Sequence, residues 1–390
     1  MINLREFKTV AQRRKALEKS LGISLQNIGH YSIDEDLAST RNCENMIGVA
    51  QIPLGVAGPL RLSFAGAQDR SGQACHHDLE FYIPLATTEG ILIASVNRGC
   101  RAINLAGGVR VLVENIGITR GPVFKTDSLF ESSELKSWLQ RHLDDLNRVV
   151  KETSSRLELK KLETQILGKN VFVRFYFDSQ EAMGMNMVTI AVDKMAAFIE
   201  KQTESECLAL SGNFCVDKKP SWLNFVLGRG KQVWAEATIS PKIIKQVLKT
   251  TPEKIFQVWL GKCLLGSALS GSIGFNAHFG NILAAIFAAT GQDLAHVTEG
   301  SLGITTTELS GKDLYISVYL PDLPIGTIGG GTTLETQKEA LSLMGIKRGE
   351  VGGSLKLAGM IGGAVLAGEL SLLASLAEGS LALAHKRKNA

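Results

Sequence analysis

Three charges in succession, Asp217-Lys218-Lys219, close on Pro220 between the apolar flanks Leu208-Ala-Leu210 and Trp222-Leu-Asn-Phe-Val-Leu227. Adjacent ammonium groups repel each other and resist burial, so apolar neighbours make their placement costly unless anions meet them. Pro220 disfavours helix at Lys219 and stiffens the segment as a loop. An aspartate and two ammonium groups presented from an apolar bed suit an anion or a developing oxyanion. A charged surface turn has the same composition, and the loop alone does not separate the two readings.

Other residues offer partners. Ala86-Thr-Thr-Glu89-Gly90 sets one carboxylate among small residues ahead of Ile91-Leu-Ile-Ala94, a candidate proton donor near neutral pH. The same pattern also serves as a helix cap. Ser95, Asn97, Arg98 and Arg101 follow on one presumed helix, where Arg98 and Arg101 project from neighbouring positions and could hold phosphates or simply be solvated. Arg120 precedes Gly121-Pro122, where a guanidinium could grip a carboxylate in bidentate fashion. Asp293, in Gly291-Gln-Asp293, ends a long uncharged stretch as either a cap or a positioned group, and it gains weight if Lys218 lies beside it. Met183-Gly-Met-Asn-Met187 could fill core space or line a flat aromatic ring. Backbone amides of Gly326-Thr-Ile-Gly-Gly-Gly331 could cradle a pyrophosphate. No GxGxxG follows a strand and no GxxxxGK[ST] occurs, which excludes the Rossmann and P-loop readings. His385 precedes Lys386-Arg387-Lys388 in what could be a disordered basic tail.

Elements must carry these groups. Residues 4–21 read as a charged amphipathic helix, 49–56 as a strand, 60–83 as further strands and 88–106 as a helix, with a short strand at 109–113. Composition shifts after Arg120-Gly-Pro122. Two charged helical segments are expected between Asp127 and Lys161, then a strand over Asn170–Phe177 and a helix over 188–206. This block reads as a small α+β unit set inside a larger one. Beyond it come strands at 231–239, a helix at 241–259, buried apolar helices within 263–290, strands within 302–320, a Gly-rich loop at 326–333 and a helix pair from 334 to 385.

The 390 residues suggest two to three domains, and 45% apolar with 21% charged residues is an ordinary globular composition. A net charge of +4 gives no sign of nucleic-acid or anionic-membrane binding. The six cysteines lie far apart without metal-ligand spacing, so free thiols in a reducing, cytoplasmic setting are expected and no metal is. The chain starts without the apolar core of a signal peptide, and the apolar run Leu357–Gly368 is shorter than the ~20 residues that span a bilayer.

Taken together these motifs resemble the family of 3-hydroxy-3-methylglutaryl-coenzyme A (HMG-CoA) reductases. The resemblance begins near residue 44 and runs through Glu44-Asn-Met-Ile-Gly48, Pro53-Leu-Gly-Val-Ala-Gly-Pro59, Ala86-Thr-Thr-Glu-Gly90 and Asn97-Arg-Gly-Cys-Arg101. It continues through Ala182-Met-Gly-Met-Asn-Met187, Asp217-Lys-Lys219, Gly291-Gln-Asp293, Gly326–Gly331 and Ala367-Gly-Glu-Leu-Ser371. It implies an α+β fold: a short helical N-terminal segment (1–43), a large substrate domain around a long central helix (44–120 and 221–390), and an inserted ferredoxin-like nucleotide-binding domain (121–210), with 211–220 as the connecting catalytic loop. It also implies a homodimer or homotetramer with sites at the subunit interface.

The family's reaction reduces the thioester of HMG-CoA by two hydride transfers, through mevaldehyde, to mevalonate and free coenzyme A. The resemblance implies four catalytic residues. Lys218 would face the oxyanion, Glu89 would donate protons, Asp293 would tie these two together, and His385 would protonate the coenzyme A thiolate. Arg120, Ser211, Asn213, Asp217, Lys219 and Asn281 would hold the acyl portion. Arg98, Arg101, Lys249 and His278 would face coenzyme A, with Ser95 and Asn97 nearby. Glu181, Met183, Gly184, Met185, Asn186, Met187 and Ile328, Gly329, Gly330, Gly331 would contact the dinucleotide, and Ser155 with Arg156 its 2′-phosphate, which favours NADPH. Gln180-Glu181 departs from a family Gly-Asp, and Leu294-Ala-His296-Val297 is shorter than in animal relatives. The same fold run in the degradative direction with NAD, and a non-catalytic acyl-CoA-binding protein, are the alternatives.

Overall fold

Apolar residues crowd every side of the segment Gly353–Glu378, and in the computed structural model, which describes residues 7–21, 26, 29–64 and 78–379, they form one long core helix. By length and composition this helix could cross a membrane, yet 94% of its most apolar window is buried inside the protein. It outruns the apolar stretch Leu357–Gly368 because the flanking charges are absorbed. Lys356 reaches Gly345 O at 2.7 Å, and the buried Glu369 accepts N–H groups of Ala277 and His278 at 2.8 and 2.7 Å. The helix Leu92–Leu105 crosses it in backbone contact: a Cβ on Gly99 would stand 1.9 Å from Ala367 O, so only glycine permits the crossing.

The strands form one ten-stranded mixed sheet. In chain order they are β1 (Leu54–Phe64), β2 (Asp78–Ala86), β3 (Val109–Arg120), β4 (Val123–Lys125) and β5 (Glu158–Leu167). Then follow β6 (Asn170–Asp178), β7 (Glu206–Ala209), β8 (Arg229–Ile239), β9 (Ile304–Ser310) and β10 (Asp313–Leu323). β3 is the shared strand. Its first half lies between β1 and β8, and its last residues, Ile118–Arg120, pair with β6. The strands β7-β4-β6-β5 lie side by side with the helices Leu129–Arg141, Leu143–Thr153 and Met185–Gln202 connecting them, the ferredoxin-like arrangement. Buried side chains divide accordingly. One cluster surrounds the long helix, a second spans residues 118–199, and Val10, Ala38 and Met46 form a small third.

Several expected boundaries move. The first helix is Val10–Leu21, and the strand expected from Val49 begins at Leu54, after Pro53, which lacks a ladder donor. β3 runs on to Arg120, well past Val113, because it serves both halves of the sheet. Residues 158–161 belong to β5, not to a helix: they pair with Tyr176–Asp178 of β6 through a register shift between Leu159 and Lys161. The helix expected at 241–259 breaks at Lys249, which is left-handed (φ 59), and restarts at Pro252 under the Thr251 cap. The apolar helices of 263–290 part at 271–278, where a loop carries Asn276 and His278.

Candidate active site

The loop after β7 places Lys218 Nζ 2.7 Å from Asp293 Oδ2, with both side chains part-exposed (42% and 34%). The two oxygens of Asp293 divide their work. Oδ1 accepts Ala295 N–H at 3.0 Å and caps the short helix Leu294–His296, which leaves Oδ2 for the ammonium. Burial works against ionisation of Asp293, but the hydrogen bonds from Lys218 and Ala295 and the nearby His296 outweigh it, so its carboxyl lies below the usual range. The loop itself is strained: Asn213, Val216 and Lys218 have φ of 62, 48 and 58. Left-handed backbone at non-glycine residues costs about 1–3 kcal/mol each, so the surroundings must enforce it.

They do so through a buried charge network that the motifs did not reveal. Arg229, at the start of β8, is completely buried and pairs with Asp217 Oδ1 and Glu299 Oε1, each at 2.8 Å. Its Nε donates to Thr119 at 2.9 Å, and Thr119 in turn donates to Cys215 O at 3.0 Å. Arg174, mid-strand in β6, donates to Phe214 O at 3.1 Å, Gly228 O at 2.9 Å and Asn224 Oδ1 at 2.9 Å, which ties the loop to the helix Trp222–Leu227 that follows it. Asn224 donates to Asp322 at 2.6 Å and to Val216 O at 2.9 Å. Lys218 N–H donates to Glu299 Oε1 at 3.3 Å, and the fully buried His296 is hydrogen-bonded through Nδ1 to the same oxygen. Burial and the neighbouring Glu299 push Asp322 well above the carboxylate range. Glu299 moves the other way: burial opposes its ionisation, but His296 and Arg229 prevail and hold it low. One signal was available in the sequence, a lone arginine amid the apolar run Asn170–Phe177.

Donor atoms of Asp217, His296 and Glu299 lie within 4.8 Å of one another, a spacing that could suit a metal ion. The Arg229 guanidinium already bonds both carboxylates, so a second cation there would meet like charge at contact distance. The cluster does not fit a metal.

The expected acyl contacts gather only in part. Arg120 has a buried Nε without a partner among the described residues, as a site for an incoming carboxylate requires. Ser211 Oγ lies 3.7 Å from Cys215 Sγ, Asn213 is exposed, and Lys219 reaches back to Asp217 O at 3.3 Å. Asn281 and His278 are neighbours at 3.4 Å, and His278 Nε2 is buried without a hydrogen-bond partner among the described residues. Lys249 and Arg101 are exposed. Arg98 is instead drawn to the long helix, donating to Ser371 O at 2.6 Å and to Ser375 Oγ, with Ser95 Oγ on Ser371 Oγ at 2.9 Å. Asn97 Oδ1 accepts Gly58 N–H at 3.1 Å. These four contacts hold elements together. Glu89, expected among small residues and tied to Asp293, is exposed, and its carboxylate has no partner among the described residues. His385 lies outside the described residues.

Across from this loop, a cavity of about 920 Å³ is lined by Arg156, Met187, Lys231, Ile328 and Arg348 among others. Its apolar wall and its guanidinium groups, which have no ionic partner among the described residues, fit a dinucleotide. Arg156 is exposed, with Ser155 exposed beside it. Gly184 (φ 94) starts the helix Met185–Gln202, whose exposed Asn186 follows, while Met183, Met185 and Met187 pack on the smaller core. Ala182 bridges Ile328, and the Gly329-Gly330-Gly331 turn stacks on Gly291, where a Cβ would stand 2.4 Å from Gly331 O. Gln292 clamps Gly326 through two 3.0 Å hydrogen bonds, coupling the Asp293 turn to the Gly-rich loop. Glu181 lines the cavity, but its oxygens accept Gly352 and Ser354 N–H at 2.7 and 2.6 Å, capping the long helix. Lys231 is buried, bonded to Asn115 Oδ1 at 2.9 Å, and burial pushes its ammonium down to about 8.

A family model described as hydroxymethylglutaryl-coenzyme A reductase matches residues 9–390. The 3-hydroxy-3-methylglutaryl-coenzyme A reductase of Pyrococcus abyssi is 51% identical over 380 residues, covering 96% of this chain and 91% of its own. That of Methanothermobacter thermautotrophicus is 48% identical over 374 residues, with the same coverage of each chain. Among solved structures, the class II reductase of Streptococcus pneumoniae bound to NADPH in open conformations superposes with a TM-score of 0.68 at 19% identity, covering 96% of this chain and 98% of that one. That likeness speaks for the fold.

Proposed function

This chain belongs to the hydroxymethylglutaryl-coenzyme A reductase family, and from that premise we propose that Lys218 and Asp293 form the charged centre at which the HMG-CoA thioester is reduced. The observation that carries this reading is the 2.7 Å contact between Lys218 Nζ and Asp293 Oδ2 at a part-exposed position.

NADPH, when bound, supplies the hydrides. Lys218 stabilises the oxyanion left on the carbonyl oxygen after the first transfer, the charge that preorganised donors favour most. The C–S bond of that hemithioacetal then breaks, giving mevaldehyde and the coenzyme A thiolate, which His385 protonates. Lys218 meets the second oxyanion in the same way, and Glu89 delivers protons to oxygen to give mevalonate. Asp293 keeps the ammonium aimed at the carbonyl. Arg120, with Ser211, Asn213, Lys219 and Asn281, holds the acyl portion; Asp217 acts mainly through its pair with Arg229. His278, Lys249 and Arg101 face coenzyme A, and Arg156 meets the 2′-phosphate.

The exposed Glu89, whose carboxylate has no partner among the described residues, supports a site completed by a second copy of the chain, in a homodimer or a larger assembly. The separate clusters of buried residues support an inserted nucleotide domain at 121–210 within a substrate domain of 44–120 and 221–390. Free cysteines along the described chain support a reducing, cytoplasmic location.

The test is loss of nicotinamide absorbance with HMG-CoA and either NADPH or NADH, together with release of free thiol. Consumption of NADPH with stoichiometric thiol release is expected. Folded protein that oxidises neither cofactor would refute the reading, and preference for NADH would overturn the assignment of Arg156.

A further inference from the structure

His296 and Glu299 belong to none of the motifs above, yet both are fully buried directly behind Lys218. Glu299 Oε1 serves three donors from different elements: the Lys218 backbone at 3.3 Å, Arg229 Nη1 at 2.8 Å and His296 Nδ1. The imidazole therefore has one nitrogen fixed. Its other nitrogen, Nε2, is buried without a hydrogen-bond partner among the described residues and stands 3.6 Å from Asp293 Oδ2, the oxygen that holds Lys218 Nζ. Groups facing the ring are Asp293, Asp217 (3.9 Å from Nδ1) and Glu299, with Arg229 bonded to the latter two. An imidazole donates from one ring nitrogen when neutral and from both when protonated, and catalytic contacts that are long without ligand often tighten when it binds.

We infer that His296, held by Glu299, is a positioning residue for Lys218. Glu299 fixes the strained backbone of Lys218 while His296 fixes Asp293, so one buried carboxylate governs both the base and the tip of the same lysine. The inference rests on the reductase reading of Lys218. It accounts for a histidine in a segment, Leu294-Ala-His296-Val297, that otherwise lacks a chemical role.

Two polar substitutions separate the ring's two ends. His296→Gln keeps an amide near the position of Nε2, facing Asp293; His296→Asn keeps one near Nδ1, facing Glu299. We expect the Gln variant to retain kcat within about threefold and the Asn variant to lose about ten- to a hundredfold, the scale of a small misplacement of a reacting group. KM for HMG-CoA and the thermal midpoint should differ little between the two. Equal kcat in both variants, or a loss in the Asn variant matched by lower stability, would overturn the inference. NMR titration of the Asp293 carboxyl gives a readout free of activity: it should titrate higher in the Asn variant than in the Gln variant. Identical titration overturns the positioning role even in a protein that turns over some other substrate, whereas wild-type inactivity with a normal titration difference counts only against the reductase reading.

Discussion

Beneath Lys218, Arg229 and Glu299 have no exposed side-chain surface and meet at 2.8 Å, whereas on the far side of the Gly-rich loop Arg156 and Arg348 stand exposed without an ionic partner among the described residues. Both places gather cations, for opposite purposes. The buried set pairs Arg229 with Asp217 and Glu299 and leaves Lys218 and Asp293 reaching outward, so little reorganisation is needed when negative charge develops on a substrate. The cavity keeps its guanidinium groups uncommitted because the ligand brings its own phosphates. Fixed charge suits a charge that appears briefly; free charge suits one that arrives and leaves.

The largest effect that could break this comparison is at the outward tip. Lys218→Ala should lower kcat about 10²- to 10³-fold, as loss of one oxyanion donor does, with a smaller change in KM for HMG-CoA. Steady-state kinetics decide it, and unchanged kcat would remove Lys218 from the chemistry.

Next comes the contrast in stability. Arg229→Met leaves the buried Glu299 and the part-buried Asp217 without their counter-charge, and breaking such a buried pair costs about 3–5 kcal/mol. Arg156→Ala, at an exposed site, should stay within about 0.5 kcal/mol. Urea unfolding of both variants measures the difference, and similar losses would mean that the two regions are not built on different rules.

How far this was legible in the sequence follows the same division. The strand Asn170–Asp178 declares itself through branched and aromatic residues, and the Asp-Lys-Lys and Gly-Gln-Asp segments stand out by type. The structure brings Lys218 and Asp293 of these two segments together at 2.7 Å. The supporting network was not legible, because its partners are far apart in the chain: 70 positions separate Arg229 from Glu299 and 98 separate Asn224 from Asp322. Glu181 illustrates the limit most plainly. A carboxylate beside the methionine motif suggested a ligand contact, but a helix start 171 positions away takes up its oxygen. Arg98 likewise looked like a phosphate anchor until the long helix placed Ser371 and Ser375 against it.

On the cavity side, Arg156→Ala should raise KM for NADPH about tenfold, the worth of one or two hydrogen bonds to a charged group, and leave KM for NADH nearly unchanged. Parallel increases for both nucleotides would place Arg156 elsewhere than at the 2′-phosphate.

The smallest effect concerns pH, to which the two regions respond in different windows of the scale. Asp293 and Glu299 are held below the usual carboxylate range when folded. Unfolded chains therefore take up their protons first as pH falls, so stability from this pair is complete above the ordinary carboxylate value of about 4 and drains away below it. Lys231, in the cavity wall, is pushed by burial from 10.5 to about 8. Between those values the unfolded chain holds a proton that the folded chain has lost, so this residue makes stability rise with pH across that window. Cys100 and Cys263, pushed up to about 12 by burial, act with the reverse sign at alkaline pH, so the total need not rise. The difference between wild type and Lys231→Met isolates the lysine: their urea midpoints should diverge from pH 8 towards pH 10 in favour of the wild type. A gap independent of pH would mean that Lys231 stays charged in its pocket and belongs with the uncommitted cations that await a phosphate.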